Sequence, residues 1–388
     1  MRPARSTLSD GVTVSNVPLV DLGWQQREIA DEVATGFARV LDDTSFIGGR
    51  DVAEFETAFA EFVGVDHCVG VANGTDALEI ALRGLGVGIG DEVVVPANTF
   101  VATAEAVARV GASLVLVDVD DDRLLMSPDA VEKAVTDRTR AVIPVHLYGQ
   151  CAPVDEIQAR LEGLGIPIVE DAAQSQGSTH HGKPAGSLAD VAATSFYPGK
   201  NLGAYGDAGA VLTRDADLAR TMRLLSQHGS EVRYEHEIVG FNSRLDTLQA
   251  VVLRAKLARL SGWNQLRRDA ADRYAQLLAD VPDVRVPVTA DGNVHVWHLY
   301  VVRVPRRHEV LAGLQQRGVG AAIHYPHPVH LHPAFAYLGH GPGAFPVAEA
   351  AADEILSLPL FPGISEDQQV RVVQALAETL GELGGAER

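Results

Sequence analysis

The sequence predicts an α/β protein in which a large domain, built on a mostly parallel β-sheet, is followed by a smaller α+β domain. Between Val71 and about Arg214, short apolar runs alternate with segments of helical periodicity, which is typical of a parallel sheet covered by helices on both faces. A proline-free helical stretch then runs from about Leu245 to Leu278. Shorter strand-like and helix-like segments follow it and indicate the second domain.

The apolar runs of the large domain are short and bounded by turn residues, so they are predicted to be buried strands. In chain order they are "DEVVVPA", "SLVLVDVD", "AVIPVHLYG", "IPIVEDAA" and "VAATSFYP". The helices predicted among them are "DALEIALRGL", "VATAEAVARV", "SPDAVEKAV" and "VDEIQARLEGL". In the small domain, "VWHLYVVRV" is predicted as a strand and "RRHEVLAGLQQRG" as a helix. Ligands of such sheets gather at the carboxyl ends of the strands.

These elements divide the chain into three parts. Residues 1–30 are expected to pack with the small domain or at a dimer interface. Residues 31–250 form the predicted large domain, and residues 251–388 form the predicted small domain.

Composition limits the possible partners and the location. The two cysteines, Cys68 and Cys151, provide no disulfide framework, and the N-terminal residues lack the apolar core of a secretory signal, so a cytoplasmic location is expected. No run approaches the roughly 18 apolar residues of a membrane span. A net charge of −19 argues against a nucleic-acid partner. An acidic protein can still bind a small anionic ligand through backbone amides.

A candidate anion site lies in "ANGTDALEIAL", where a strand ends at Val71 and a helix begins after an Asn73-Gly74 turn. The start of a helix presents unpaired N–H groups and a positive dipole end, and the hydroxyl of Thr75 lies beside them. The alternative is that Thr75 only caps the helix.

Two carboxylates, Glu170 and Asp171, end the apolar strand in "IPIVEDAAQSQGS". Neighbouring side chains of a strand face opposite sides of the sheet, so one of them should point towards the ligand edge. A carboxylate buried there needs a cationic partner, and a protonated pyridine nitrogen would serve. The alternative is a helix-capping Asp171 with a solvent-facing Glu170.

A lysine, Lys200, follows the next strand in "SFYPGKNLGAYGDAG", between two glycines. Ser195 lies at the end of that strand, and Pro198-Gly199 end it sharply. A lysine that bonds to an aldehyde needs such a fixed approach and surroundings that lower its pKa.

Together these residues suit one ligand, pyridoxal 5′-phosphate. Thr75 and Ser195 would hold its phosphate, Asp171 its pyridinium and Lys200 its aldehyde, and Phe100 of "NTFVAT" could cover the ring. A nicotinamide site is not favoured, because the glycines of "GLGVGIGDE" follow a helix and lack the glycine spacing of a dinucleotide fingerprint.

At these residues the sequence resembles the fold-type I, aspartate-aminotransferase-like enzymes that use pyridoxal phosphate. It is most similar to the nucleotide-sugar aminotransferases of the DegT/StrS kind. The resemblance runs from about Pro18 to Phe361 and rests on "NGTDAL", "VPANTFVAT", "PVHLYG", "VEDAAQ", "SFYPGKNLGAYGDAG", "GFNSRLDTLQA" and "HYPHPVH", in that order.

The resemblance implies a role for each matching residue. Lys200 bonds covalently to the cofactor and moves the proton during transfer, Asp171 pairs with the pyridine nitrogen, and Gln174 lies near the 3-hydroxyl. The remaining roles are phosphate binding by Gly74, Thr75 and Ser195, ring stacking by Phe100, phosphate binding in the neighbouring subunit by Asn242, and sugar-nucleotide contacts by His324 and Tyr325. Sharing of Asn242 implies a homodimer.

The histidine-rich run "HYPHPVHLHP" could suggest a metal site. Its prolines forbid a continuous helix, so no pair of histidines one turn apart can form. No metal is therefore expected, and the other histidines are interpreted as solvent-facing or packing residues.

The resemblance implies a cytoplasmic enzyme that moves an amine from L-glutamate to a nucleotide-linked keto-deoxysugar, dTDP-linked and with a 3-keto or 4-keto group. Lys200 favours amination over dehydration, since family members that remove a hydroxyl lack the lysine. The alternatives are an aminotransferase acting on another cyclic ketone, of the aminocyclitol type, and a non-catalytic regulator that binds pyridoxal phosphate.

Overall fold

The structure, a computed structural model, describes residues 16–385. Its helices are α1 Leu22–Asp43, α2 Arg50–Val63, α3 Gly74–Gly84, α4 Val101–Val110, α5 Pro128–Ala134, α6 Val154–Arg160, α7 Ala216–Ser226, α8 Thr247–Leu278, α9 Arg307–Gln316, α10 Pro346–Glu354 and α11 Glu366–Gly385. Its strands are β1 His67–Val71, β2 Glu92–Pro96, β3 Ser113–Val117, β4 Thr139–Val142, β5 Val169–Asp171, β6 Thr179–His180, β7 Lys183–Pro184, β8 Val191–Ser195, β9 Gly209–Thr213, β10 Ser230–Val232, β11 Glu235–His236, β12 Asn293–Val294, β13 Tyr300–Arg303 and β14 Ile355–Leu358.

A mostly parallel sheet forms the centre of the large domain, as the sequence predicts. Two ladders, β3-β2-β4 and β5-β8-β9-β1, are joined by isolated parallel bridges from Val142 to Ile168 and from Val145 to Asp171. Only β9 runs antiparallel to its neighbours. The strands of this sheet are apolar and almost entirely buried, since helices pack on both faces.

The small domain contains the antiparallel pair β13-β14, with α9, α10 and α11 around it. Its core joins Val302 and Leu356 of the strands to Leu314 of α9 and Leu376 of α11. Tyr274 from the last turns of α8 is fully buried in the same core. This arrangement agrees with the predicted α+β pattern.

The long helix α8 crosses position 250, the predicted limit between the two domains. Its first half packs on α1 and α2, and its second half reaches the small-domain core. A continuous helix therefore links the two regions, and the division at this position stays a prediction.

The beginning of the described chain lies against the small domain. The amide of Val17 donates to the Gly318 carbonyl over 3.0 Å, and the Gly320 amide donates to the Val17 carbonyl over 2.7 Å. Residues 1–15 of the predicted N-terminal segment lie outside the described residues. No helix within residues 16–385 has both the length and the apolar character needed to cross a membrane.

Candidate active site

A cavity of about 570 Å³ lies where the carboxyl ends of the sheet strands meet segments of the small domain. Its volume is within the range of about 300–1,000 Å³ that small-molecule sites occupy. All but one of the residues predicted from the sequence line it: Gly74, Thr75, Phe100, Asp171, Gln174, Ser195, Lys200, His324 and Tyr325.

The exception is Asn242, which is exposed and does not line the cavity. Its backbone forms an antiparallel bridge with Gln227. A role towards the neighbouring subunit stays a prediction, since only one chain is described.

The start of α3 forms one wall of the cavity. Asn73 is the N-cap, because its extended backbone precedes the helix and its Oδ1 accepts from the Asp76 amide over 2.8 Å. The alternative that Thr75 only caps this helix is therefore wrong, and Thr75 instead lines the cavity. The first N–H groups of the helix have no partner within it, so they suit an anion.

Gly74 allows this helix to approach the end of β8. A β-carbon at Gly74 would lie 2.6 Å from the β-carbon of Ser195, closer than side chains can pack. A β-carbon at Gly209 would likewise lie 2.5 Å from the carbonyl carbon of Asn73. The two glycines thus bring the helix N-terminus and the Ser195 hydroxyl to the same part of the cavity.

Asp171 ends β5 and is 5% exposed. Its Oδ2 accepts from the Thr103 hydroxyl over 2.7 Å, and its Oδ1 accepts from the Ala173 amide over 3.2 Å. Burial raises the pKa of this carboxyl, while the two hydrogen bonds and the charge of Lys200 oppose the shift. A cationic group bound beside it would favour the carboxylate further.

Glu170 faces the other side of the sheet, as strand alternation predicts. Its carboxylate is completely buried and accepts from the amides of Gly186, Leu188 and Ala189 over 2.7–2.9 Å. It also meets His146 Nε2 at 2.8 Å. Glu170 is therefore neither the ligand-facing acid nor the solvent-facing residue of the alternative interpretation, and it fastens the loop before β8.

Lys200 is held on a tight turn after β8. Its amide donates to the Tyr197 carbonyl over 2.8 Å, and the Ala204 amide donates to the Phe196 carbonyl over 2.7 Å. Burial lowers the pKa of the Lys200 amine to about 8, although the charge of Asp171 opposes this shift. A much larger share of the amine is therefore neutral near physiological pH than for an exposed lysine.

Two neighbours fix this turn from behind. Asn201 donates from Nδ2 to Asn264 Oδ1 and to the Val296 carbonyl, each over 2.9 Å. Lys256, which is 3% exposed, donates to the Gly203 carbonyl over 2.6 Å. The residues that directly follow Lys200 are thus anchored to α8.

Gln174 and Tyr325 belong to a hydrogen-bonded chain along another wall. Gln174 Oε1 accepts from the Tyr148 amide over 2.6 Å, and its Nε2 donates to the Tyr325 hydroxyl over 3.0 Å. The Tyr148 hydroxyl donates to the His324 carbonyl over 2.6 Å. The ring of Tyr325 lies 5.0 Å from that of Phe100, centroid to centroid. This chain ties the loop carrying His324 and Tyr325 to the large domain.

Nδ1 of His324 lies 2.8 Å from the hydroxyl oxygen of Ser357 in β14. Burial lowers the pKa of its ring to about 4, and the charge of Lys200 adds to this effect. The imidazole is therefore neutral at physiological pH.

Sequence reasoning missed Thr103, Tyr148 and His298. Thr103 follows Phe100 by one helical turn, which could have placed it on the same face. His298 is among the histidines expected to be solvent-facing or packing residues, but it lines the cavity, and its Nδ1 lies 3.3 Å from Asn201 Oδ1. Burial holds the pKa of His298 well below its usual value, so the ring is neutral.

The histidine-rich run contains a buried histidine, His330, whose Nε2 lies 3.0 Å from Glu349 Oε1. The rings of His327 and His332 lie edge to face, 6.0 Å apart. Within residues 16–385, no histidine of this run belongs to a group of three residues placed to share a metal ion.

These surroundings fit pyridoxal phosphate on chemical grounds. A buried carboxylate suits the protonated ring nitrogen, a half-buried amine of lowered pKa suits the aldehyde, and a helix start beside a hydroxyl suits the phosphate. All three line one cavity of about 570 Å³.

Comparison with known proteins agrees with this chemistry. Residues 27–377 match the profile of the DegT/DnrJ/EryC1/StrS aminotransferase family. A dTDP-3-amino-3,4,6-trideoxy-alpha-D-glucose transaminase of Streptomyces venezuelae is 45% identical, and the alignment covers 96% of this chain and 98% of that enzyme.

Two solved structures share the fold. DesV of S. venezuelae, in complex with a ketimine intermediate, is 46% identical with a TM-score of 0.92, and the match covers 94% of this chain and 98% of that one. NtdA of Bacillus subtilis, with bound cofactor PMP, is 30% identical with a TM-score of 0.88, over 96% and 87% of the two chains. The chain therefore belongs to the DegT/DnrJ/EryC1/StrS aminotransferase family, and it is a pyridoxal phosphate-dependent enzyme of the sugar-aminotransferase type.

Proposed function

We propose that this enzyme transfers the amino group of L-glutamate to the 3-keto group of a dTDP-linked deoxysugar. The observation that carries the proposal is the presence in one cavity of a half-buried lysine, Lys200, whose amine has a lowered pKa, and a buried carboxylate, Asp171. A lone buried charge is costly, so a pair of this kind at strand ends favours a chemical role.

The cofactor would be held from three sides. Asp171, which accepts a hydrogen bond from Thr103, would pair with the ring nitrogen, and Lys200 would bond to the aldehyde. Gly74, Thr75 and Ser195 would hold the phosphate, Gln174 would lie near the 3-hydroxyl, and Phe100 would cover one ring face. When bound, pyridoxal phosphate carries the amino group and withdraws electrons from the carbon that loses its proton.

Lys200 is the proposed acid–base group. Because its pKa is lowered to about 8, its amine can accept a proton from carbon and return it at a neighbouring carbon near physiological pH. Neutral His298 and His324 in the same cavity can form hydrogen bonds to substrate without competing for this proton. Burial makes these ring nitrogens poor bases.

The sugar is proposed to enter beside Phe100, His324 and Tyr325. Phe100 is 48% exposed although it lines the cavity, so it lies at the opening. The choice of a dTDP-linked 3-keto sugar is supported by the named product of the S. venezuelae relative. Glutamate as the donor is supported by the family resemblance.

We also propose a homodimer with shared active sites. Tyr197, which lines the cavity, is 58% exposed, Tyr205 is 39% exposed, and Tyr234 and Val239, in the segment before Asn242, are 78% and 95% exposed. Large exposed apolar side chains mark interaction surfaces when they cluster. In the proposed dimer a partner subunit covers these side chains, and Asn242 contacts the phosphate bound in that subunit. The cytoplasmic location stays a prediction.

The test is a coupled assay with purified enzyme, L-glutamate and a panel of keto compounds. The panel holds a dTDP-3-keto-deoxysugar, its 4-keto isomer, a UDP-linked 3-keto sugar and a keto-cyclitol. We expect 2-oxoglutarate and the 3-amino sugar to form in equal amounts, and Lys200→Ala to abolish both. Faster turnover of the keto-cyclitol than of the sugars would contradict the sugar assignment. If no compound is turned over and the protein retards DNA specifically in a gel-shift assay at low salt, a regulatory role is favoured.

A further inference from the structure

A second cluster of chemistry-bearing side chains lies outside the catalytic cavity. Asp155 in the first turn of α6, His180 at the end of β6 and His181 in the following turn place one ligand atom each within 4.8 Å of the other two. His180 is 8% exposed, whereas Asp155 and His181 are exposed. None of the three lines the cavity.

The buried ring of His180 is oriented by Asn293 of β12. Asn293 donates from Nδ2 to the Cys151 carbonyl over 2.9 Å, so its Oδ1 faces His180 Nδ1, 2.7 Å away. Since Oδ1 can only accept, Nδ1 of His180 carries a proton. The neutral ring therefore has its lone pair on Nε2.

This lone pair faces a carboxylate. Nε2 of His180 lies 2.9 Å from Oδ1 of Asp155. Two acceptors at this distance repel each other unless a cation lies between them, either a second ring proton or a metal ion. A histidine whose Nδ1 donates to an amide oxygen while Nε2 faces a second ligand has the usual geometry of a metal-binding histidine.

His181 contributes a third donor from a constrained position. Its backbone adopts a left-handed conformation with φ of 48°, and its amide donates to the Gly292 carbonyl over 2.8 Å. A β-carbon at Gly292 would lie 2.4 Å from the His181 ring, so this glycine leaves room for the imidazole. The two histidine rings lie 4.3 Å apart between centroids. The backbone thus holds two imidazoles beside one carboxylate.

We propose that Asp155, His180 and His181 form a binding site for a divalent transition-metal ion of the Zn²⁺ class. Two imidazoles and one carboxylate are donors that Zn²⁺ accepts, with water as the fourth ligand of a tetrahedral site. Bonds of about 2.0–2.1 Å put tetrahedral ligand atoms about 3.3 Å apart, so the exposed Asp155 side chain has only to move outwards slightly.

The metal would join segments that are far apart in sequence. It would fasten α6 to the β6-β7 hairpin, and through Asn293 it would reach β12. Five residues after Asn293 lies His298, which lines the catalytic cavity. The ion would therefore stabilise the segment that carries His298 in the cavity wall.

The experiment titrates Zn²⁺ into the cofactor-loaded enzyme in competition with a chromophoric chelator. We expect one tight site per chain in the wild type. His181→Gln and Asp155→Asn should remove it, and Asn293→Ala should weaken it about 10-fold to 100-fold, the usual effect of losing an outer hydrogen bond to a ligand. Zn²⁺ should also raise the thermal midpoint of the wild type but not of His181→Gln.

Matched controls come from histidines elsewhere in the chain. His308→Gln changes an exposed histidine on α9, and the double variant His327→Gln/His332→Gln removes the neighbouring rings of the histidine-rich run. Both should keep the tight site. The proposal is overturned if the wild type binds no stoichiometric Zn²⁺, or if its affinity is unchanged in both His181→Gln and Asp155→Asn.

Discussion

Thr103 donates its hydroxyl proton to Oδ2 of Asp171 over 2.7 Å, from the helix that follows Phe100. Because that proton is used, the hydroxyl of Thr99, 2.8 Å from Thr103 Oγ1, must donate to Thr103 in turn. All three side chains are buried. The chain of donors orients Asp171 and opposes the effect of burial, which raises the pKa of this carboxyl.

Thr103→Val should therefore weaken cofactor binding without unfolding the protein. A hydrogen bond to a charged group contributes about 1.5–3 kcal/mol, which is roughly 10-fold to 100-fold in the dissociation constant. Titrating the cofactor-free protein with pyridoxal phosphate, followed by absorbance, measures the effect. Thr103→Ser keeps the hydroxyl and serves as the control. Equal affinity of Thr103→Val and wild type would show that Asp171 does not need this donor.

Gly74→Ala should disrupt the phosphate end of the cavity. The added β-carbon would lie 2.6 Å from that of Ser195, so α3 has to move away from β8. We expect a loss of about 1–3 kcal/mol in the free energy of unfolding and weaker binding of inorganic phosphate.

Gly262→Ala is the matched control, because this glycine lies exposed within α8 and a β-carbon there meets nothing within 4 Å. It should raise the free energy of unfolding by about 0.5–1 kcal/mol. Urea unfolding of both variants checks the pair. A neutral Gly74→Ala would contradict the close helix–strand contact.

The rate of cofactor capture should rise with pH. Lys200 reacts as the neutral amine, and its pKa is lowered to about 8. The rate should thus climb from pH 7 to pH 9 with a midpoint near 8. Stopped-flow absorbance on the cofactor-free protein measures this profile. A midpoint near the ordinary lysine value of about 10.4 would contradict the lowered pKa of the Lys200 amine.

Lys256 should give the protein a distinct pH dependence of stability. Burial lowers the pKa of this amine to about 8 in the folded protein, while the unfolded chain has a value of about 10.4. Between these values the unfolded chain binds more protons, so the free energy of unfolding rises with pH. Below pH 8 both states are protonated and this contribution is constant.

The measurement is urea unfolding of cofactor-free wild type and Lys256→Met at pH 7 and pH 9.5. The wild type should gain more free energy of unfolding over this interval than the variant, while the contribution of Lys200 cancels in the comparison. Lys133→Met, at an exposed position of α5, should behave like wild type. Equal gains in wild type and Lys256→Met would contradict the buried charge.

The sequence could predict most of the sheet and the cavity because both depend on local patterns. Buried parallel strands are continuous apolar runs, and their carboxyl ends meet at one edge, so Thr75, Asp171, Ser195 and Lys200 were predicted to converge. Their assignment to a cofactor rested on the conjunction of residue types, which any one of them alone does not provide.

The features that the sequence did not predict depend on contacts between segments that are distant in the chain. Which residue caps α3 was decided by the backbone of Asn73, not by the residue type of Thr75. Glu170 accepts hydrogen bonds from a loop 16–19 residues later in the chain. His298 lines the cavity because the small domain packs beside it. Patterns within one segment carry no information on such pairings.

The absorbance spectrum of the purified enzyme, before and after addition of L-glutamate without a keto sugar, tests the aminotransferase function of Lys200. We expect a visible band from cofactor bound to Lys200, replaced by a band at shorter wavelength as the amino group moves to the cofactor and 2-oxoglutarate appears. Adding the dTDP-3-keto-deoxysugar should restore the first band. If no visible band appears after incubation with pyridoxal phosphate, or if glutamate leaves the band unchanged, Lys200 does not have the proposed role.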